Sequence, residues 1–105
     1  DRVRAQIGDQ NVLRIDLNKA DDTLIVELHD SNVSGNIYGI ARGKANSAQN
    51  GSMVVNQGNV AEMNSDLTGT SGTSGDVTIA FRDGYLHVEN YTGGTETLEI
   101  FLRTV

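Results

Sequence analysis

The sequence predicts an all-β fold, an antiparallel β-sandwich of jelly-roll type with seven to eight short strands. Apolar and polar residues alternate with a period of two over most of the chain, which is the pattern of half-buried strands. Turn-forming residues recur at roughly 8–12-residue intervals, a spacing typical of sandwiches and small barrels. The chain has 105 residues, 12 glycines and no proline. Residues 1–105 are therefore predicted to form one domain whose turns use Gly, Asn, Asp and Ser.

Four strands are predicted in the first 40 residues. The alternation places them at 3–7, 13–17, 24–29 and 37–40, and Gly39 weakens the last of them. Polar turn clusters separate the strands at 8–11, 18–22 and 30–36.

The middle of the chain carries a weaker pattern. Residues 42–52 are predicted to be a loop and residues 53–55 a short strand. Residues 59–67 fit either a helical turn or a strand. Residues 68–76 contain only Gly, Ser and Thr before a final Asp, and this composition predicts a solvated, flexible loop. A loop that contacts a ligand is the alternative for this segment.

The clearest signal is a hairpin around Asp83-Gly84, the dipeptide that a two-residue type I′ turn prefers. A two-residue loop sets the register and separates the side chains into two faces. The face predicted to be dry contains Ile79, Phe81, Leu86 and Val88. The face predicted to be wet contains Thr78, Ala80, Arg82, Tyr85, His87 and Glu89.

A second turn at 91–95 leads into the last predicted strand. There Phe101 and Arg103 are predicted to point outward. The predicted core consists of the inward apolar residues of all the clear strands: Leu13, Ile15, Leu17, Leu24, Val26, Leu28, Ile79, Phe81, Leu86, Val88, Leu98, Ile100 and Leu102.

Charge and composition exclude several classes of function. Eight Lys and Arg against 14 Asp and Glu give a net charge of −6, which opposes binding to nucleic acid or to an anionic membrane. No apolar run approaches the roughly 18 residues of a membrane span. The chain has no cysteine, so it offers no disulfide, zinc–thiolate site or thiol nucleophile.

No catalytic residue, cofactor or metal site is predicted. The chain contains two histidines and no G-x-S-x-G elbow, phosphate-binding loop or H-E-x-x-H motif. Oxygen ligands for calcium are available in neighbouring turns, but the EF-hand glycine and terminal glutamate are missing. These oxygen-bearing residues are Asp16, Asn18, Asp21, Asp22 and Asp30.

The predicted wet face is the candidate binding surface. Aromatic rings flanked by polar groups are suited to sugars, since a ring stacks on the C–H face and polar groups bond the hydroxyls. The candidate carbohydrate-binding residues are Arg82, Tyr85, His87, Tyr91 and Arg103. The alternative is that this face packs against another sheet or subunit, in which case its aromatics are buried core.

Residues 64–105 carry a resemblance. The strings GTSGTSGDVTI and DGYLHVENYTGG, followed by an alternating strand, resemble the C-terminal module of phage tail proteins. They are still more similar to the C-terminal module of prophage-encoded sialate O-acetylesterases, the NanS-p group. The resemblance implies a jelly-roll carbohydrate-binding domain at the C-terminus of a longer protein, with the esterase residues upstream.

The resemblance implies a lectin-like module that targets its parent esterase to sialylated glycans such as mucin. The implied setting is secreted, extracellular or virion-associated, although the chain carries no targeting signal. The alternative is a C-terminal trimerisation or receptor-binding domain of a tail fibre or tailspike, for which a homo-oligomer is expected. A third hypothesis is that the chain is a small hydrolase. Esterase activity on an acetylated chromogenic substrate would support it, and we expect no such activity.

Overall fold

The computed structural model describes residues 1–18, 21–32, 35–46 and 50–105. Within those ranges the regular structure is entirely β. The nine strands are β1 (Arg2–Ile7), β2 (Asn11–Asp16), β3 (Leu24–Asp30), β4 (Tyr38–Lys44), β5 (Asn50–Asn56), β6 (Val60–Glu62), β7 (Val77–Arg82), β8 (Tyr85–Asn90) and β9 (Glu96–Thr104).

Two sheets pack face to face, which confirms the predicted β-sandwich. One sheet has five strands in the order β1-β9-β3-β4-β5, and the other has four in the order β2-β8-β7-β6. Consecutive strands at both ends of the chain cross between the sheets, as in a jelly roll. The described residues form nine strands, where seven or eight were expected. The β6–β7 pair is parallel, whereas the other strand pairs given for the described residues are antiparallel.

The region from β4 to β6 departs most from expectation. β4 continues to Lys44 and β5 begins at Asn50. The prediction of a loop over 42–52 is therefore wrong at both ends of that segment, where the chain forms strands. Residues 47–49 lie outside the described residues. The inward positions of β4 are small residues, and a Cβ on Gly39 would lie 2.8 Å from Met53 Cε. Small inward residues hide the hydrophobic alternation that reveals a strand.

Of three further predicted segments, one can be compared with the structure in full and two only in part. The ambiguous stretch 59–67 contains the strand β6. Two of the predicted turns, 18–22 and 30–36, include residues 19–20 and 33–34, which lie outside the described residues.

The core lies between the inner faces of the two sheets. Nine of the predicted core residues are buried, and Leu13, Ile15, Leu17 and Leu102 are half-buried beside them. The first two belong to β2, an edge strand, which has a neighbour on one side only. The prediction missed small or isolated apolar residues that are also buried: Ile7, Ile37, Ala41, Ala45, Val60, Leu67, Val77 and Ala80.

The hairpin between β7 and β8 has the predicted register. Phe81 pairs with Leu86 and both are fully buried, as the dry face requires. The two turn residues have positive φ, 55° at Asp83 and 86° at Gly84, which confirms the type I′ requirement. The Gly84 N–H also donates to the Ala45 carbonyl, so the turn is tied to the end of β4.

Candidate functional site

The outer face of the four-stranded sheet is the surface predicted to be wet, and much of it is covered. Tyr85 is 38% exposed, but His87 is only 5% exposed, and Thr78 and Glu89 are fully buried. The expected exposure of His87, Thr78 and Glu89 is therefore wrong. The covering element is the segment of Gly, Ser and Thr that precedes β7.

Glu89 holds that segment in place. Its carboxylate accepts hydrogen bonds from the backbone N–H groups of Gly69 at 2.8 Å, Ser71 at 2.9 Å and Gly72 at 2.8 Å. A Cβ on Gly72 would overlap Thr78 Oγ1, so the chain lies directly on β7. The segment is a loop, as predicted, but it is pinned to the sheet rather than solvated and flexible.

His87 is buried on the same face of the sheet. Its Nε2–H donates to the Arg82 carbonyl at 3.2 Å, and its Nδ1 is buried without a hydrogen-bond partner. Burial lowers the pKa of His87 and outweighs the opposing hydrogen bond to Arg82. Of the nearby charges, Arg14 also lowers this pKa, while Asp66 and Asp83 raise it.

The five predicted binding residues do not converge on one site. Arg82, Tyr85 and His87 lie on the β7–β8 hairpin, and Arg82 Nε lies 2.6 Å from Asp66 Oδ1. Tyr91 is half-buried in the next turn, where its backbone N–H donates to the Asp76 carbonyl at 3.1 Å. Arg103 is exposed on β9, which belongs to the other sheet.

The outer face of the five-stranded sheet brings a different set of side chains together. The pairing of β9, β3 and β4 aligns outward residues in three rows across the strands. The rows are Arg103, Ile25 and Arg42; Phe101, Glu27 and Ile40; and Glu99, His29 and Tyr38.

A groove of about 490 Å³ lies over these rows. Its floor is apolar and consists of Ile25, Ile40 and Phe101, while its polar groups come from Asp1, Glu27, His29 and Arg103. The His29 and Phe101 rings are stacked with centroids 5.4 Å apart and planes 15° from parallel. An apolar base with a few convergent polar groups is the usual composition of a small-ligand site.

Basic side chains are concentrated on this same face. Five of the eight Lys and Arg residues of the chain are exposed there, at outward positions of β1, β4 and β9. They are Arg2, Arg4, Arg42, Lys44 and Arg103. Three acidic residues share the face: Glu27, Glu99, which pairs with Arg2, and Asp1, which lines the groove with Arg103. The face is therefore locally basic although the chain is acidic overall.

Sequence reasoning placed Phe101 and Arg103 outward but missed the rest of the groove. Ile25, Glu27 and His29 alternate with the buried residues of β3, so the period-two pattern already placed them on one outward face. Tyr38 lay within the strand predicted at 37–40, but the inward residue beside it is Gly39, so the strand showed no hydrophobic alternation from which its outward face could be assigned.

Neither a metal-binding cluster nor a membrane-spanning helix is present among the described residues. Within 1–18, 21–32, 35–46 and 50–105, no three or more His, Asp or Glu side chains form a group suited to a metal ion. In that part of the chain there is also no helix with the length and apolarity of a membrane span.

Comparison of the chain with protein-family models, curated proteins and solved structures finds no match in any of the three. The resemblance of residues 64–105 to esterase and phage tail modules therefore stays a prediction.

Proposed function

We propose that this chain is a non-catalytic, lectin-like module that binds glycans in the groove on its five-stranded sheet. The observation that carries the proposal is the stacked pair of Phe101 and His29 in an apolar groove, with Glu27 and Arg103 at its side. A half-buried ring supports the apolar face of a sugar, and the carboxylate and guanidinium bond its hydroxyl or acidic groups.

The charge distribution favours an acidic glycan, such as one ending in sialic acid. A guanidinium binds a carboxylate through two parallel hydrogen bonds, and Arg103 is exposed beside the groove. The net charge of −6 opposes an anion at long range. The Debye length is about 8 Å at physiological salt, so distant acidic residues are screened and Arg103, which lines the groove, acts on a ligand at contact distance.

Such a module acts by raising local concentration. Attached to a sialate O-acetylesterase whose catalytic residues lie upstream, it would hold the enzyme at sialylated mucin glycans. The resemblance of residues 64–105 supports this biological setting, and the groove supports the binding step. The same resemblance supports a secreted or virion-associated location for the module.

Titration calorimetry with 3′-sialyllactose and lactose tests the proposal. We expect sialyllactose to bind, and Phe101→Ala to weaken binding at least about tenfold by removing the stacking surface. Tyr85→Ala is the matched control, because Tyr85 is an exposed aromatic on the other sheet. Arg103→Ala should weaken sialyllactose more than lactose.

Three results would count against this assignment. Absence of heat with both sugars at millimolar concentration would remove the glycan-binding proposal. Loss of binding in Tyr85→Ala but not in Phe101→Ala would move the site to the β7–β8 hairpin. An equal effect of Arg103→Ala on both sugars would exclude recognition of the acidic group by that residue.

The second candidate function is trimerisation or receptor binding at the end of a phage fibre or spike. It is favoured by β5, an edge strand of the five-stranded sheet whose Val54 is 59% exposed. An exposed edge strand with an apolar side chain pairs readily with another chain. Light scattering decides: a stable trimer that Val54→Lys dissociates supports this role, and a monomer at high concentration contradicts it.

A further inference from the structure

A second hollow of about 290 Å³ adjoins the groove. It is lined by Asp30, Ile37 and Tyr38, and it shares Glu27 and His29 with the groove. The two hollows therefore meet along one wall made by two neighbouring outward residues of β3.

Three rings connect the hollows across the sheet. His29 stacks on Phe101 at 5.4 Å, and the ring centroids of His29 and Tyr38 are 6.1 Å apart. Phe101 and Tyr38 stand on strands two positions apart, which places their backbones about 10 Å from each other across the sheet. One sugar ring does not cover that distance, whereas two linked rings do.

We propose that the two hollows are adjacent subsites of one binding site, and that the ligand is an oligosaccharide of at least two units. This inference rests on the proposed function and specifies the size of its ligand. One unit lies over Phe101 and the next over Tyr38. His29 and Glu27 lie beneath the linkage between them.

The charges give the site a direction. Two arginines, Arg103 and Arg42, flank Ile25 at one end, where the groove lining also includes one acidic residue, Asp1. Asp30 lines the hollow at the other end. Charge complementarity therefore places the acidic sugar at the arginine end. A neutral sugar, whose hydroxyls donate to carboxylates, occupies the end with Tyr38 and Asp30.

The test is an amide NMR titration with three probes: N-acetylneuraminic acid, lactose and 3′-sialyllactose. The monosaccharide should shift amides around Phe101 and Arg103, and the trisaccharide should also shift those of Tyr38. We expect the trisaccharide to bind at least about tenfold more tightly than the monosaccharide. Tyr38→Ala should remove that gain and leave monosaccharide binding unchanged, while Tyr38→Phe should keep most of the gain.

The outcomes separate this inference from the proposed function. Equal affinity for monosaccharide and trisaccharide, or a Tyr38→Ala effect of the same size on both, overturns the second subsite and leaves a one-sugar lectin. Shifts with none of the probes overturn the glycan-binding function itself. A monosaccharide too weak to detect, beside trisaccharide binding that requires Tyr38, supports two subsites.

Discussion

The buried carboxylate of Glu89 is predicted to be the main anchor of the loop that covers the four-stranded sheet. Replacing it by glutamine keeps its size and shape and removes its charge. An amide offers one acceptor oxygen and one NH₂ donor group. The three backbone N–H groups of Gly69, Ser71 and Gly72 then face one oxygen and one donor instead of two oxygens.

The loss can be estimated from these three bonds. The Gly72 N–H points at Oε2, the oxygen that Gly69 and Ser71 do not use, so it loses its acceptor, which costs about 1–3 kcal/mol. The other two bonds become neutral and lose roughly half their strength. Removing a buried charge returns part of its desolvation cost. The net expectation is about 3 kcal/mol, or a fall of about 12 °C in Tm for a domain of this size.

Thermal unfolding followed by circular dichroism measures the loss. Glu99→Gln is the matched control, because its surface pair with Arg2 contributes less than about 1 kcal/mol. Hydrogen exchange gives a local readout, in which the amides of Gly69, Ser71 and Gly72 should lose protection in Glu89→Gln. A midpoint within about 3 °C of the control would refute the role of Glu89 as anchor.

Two further predictions concern the hairpin. Gly84→Val should lower the free energy of unfolding by about 1–2 kcal/mol; a Cβ there meets no neighbouring atom, so the cost comes from backbone strain at φ 86°. Gly94→Val is the control, because a Cβ at Gly94 also meets no neighbour and its φ is not in the left-handed region, so it should cost less. Equal losses in the two variants would contradict the type I′ turn. The pKa of His87 is lowered, so the unfolded chain binds a proton at higher pH than the folded one. The contribution of the neutral His87 to the free energy of unfolding is therefore fully present above about pH 6.5 and is lost as the pH falls. His87→Gln should reduce the change in urea midpoint between pH 7 and 5.5, and a change as large as in the parent would contradict the buried neutral imidazole.

Strands with large alternating residues could be predicted from the sequence, and strands with small ones could not. β3, β7, β8 and β9 alternate bulky apolar residues with polar ones, which fixes both their existence and their faces. β4 turns Gly39, Ala41 and Gly43 inward, so its alternation carries no hydrophobic contrast. The pairing of β6 with β7 joins segments separated by a loop, and no local pattern encodes such a contact.

The exposure of the polar face of the β7–β8 hairpin was predicted wrongly, because alternation separates two faces but does not show what covers them. The sequence around Asp83-Gly84 defines a polar face correctly in register. Its coverage depends on Glu89, whose carboxylate finds three donors 17–20 residues earlier in the chain. A buried glutamate reads as an exposed one until its partners are known.

The two outer faces differ in what covers their apolar side chains, and this difference is the reason that the proposed glycan site lies on the five-stranded sheet. On the four-stranded sheet the chain folds back, so Ala80 and Thr78 are fully buried by residues of the same domain. On the five-stranded sheet Ile25, Ile40 and Phe101 remain half-buried beside a groove. Covering apolar surface there would stabilise the complex in proportion to the area removed from water. Under the glycan-binding proposal, a sugar ring in the groove would cover these half-buried side chains beside the exposed Arg103.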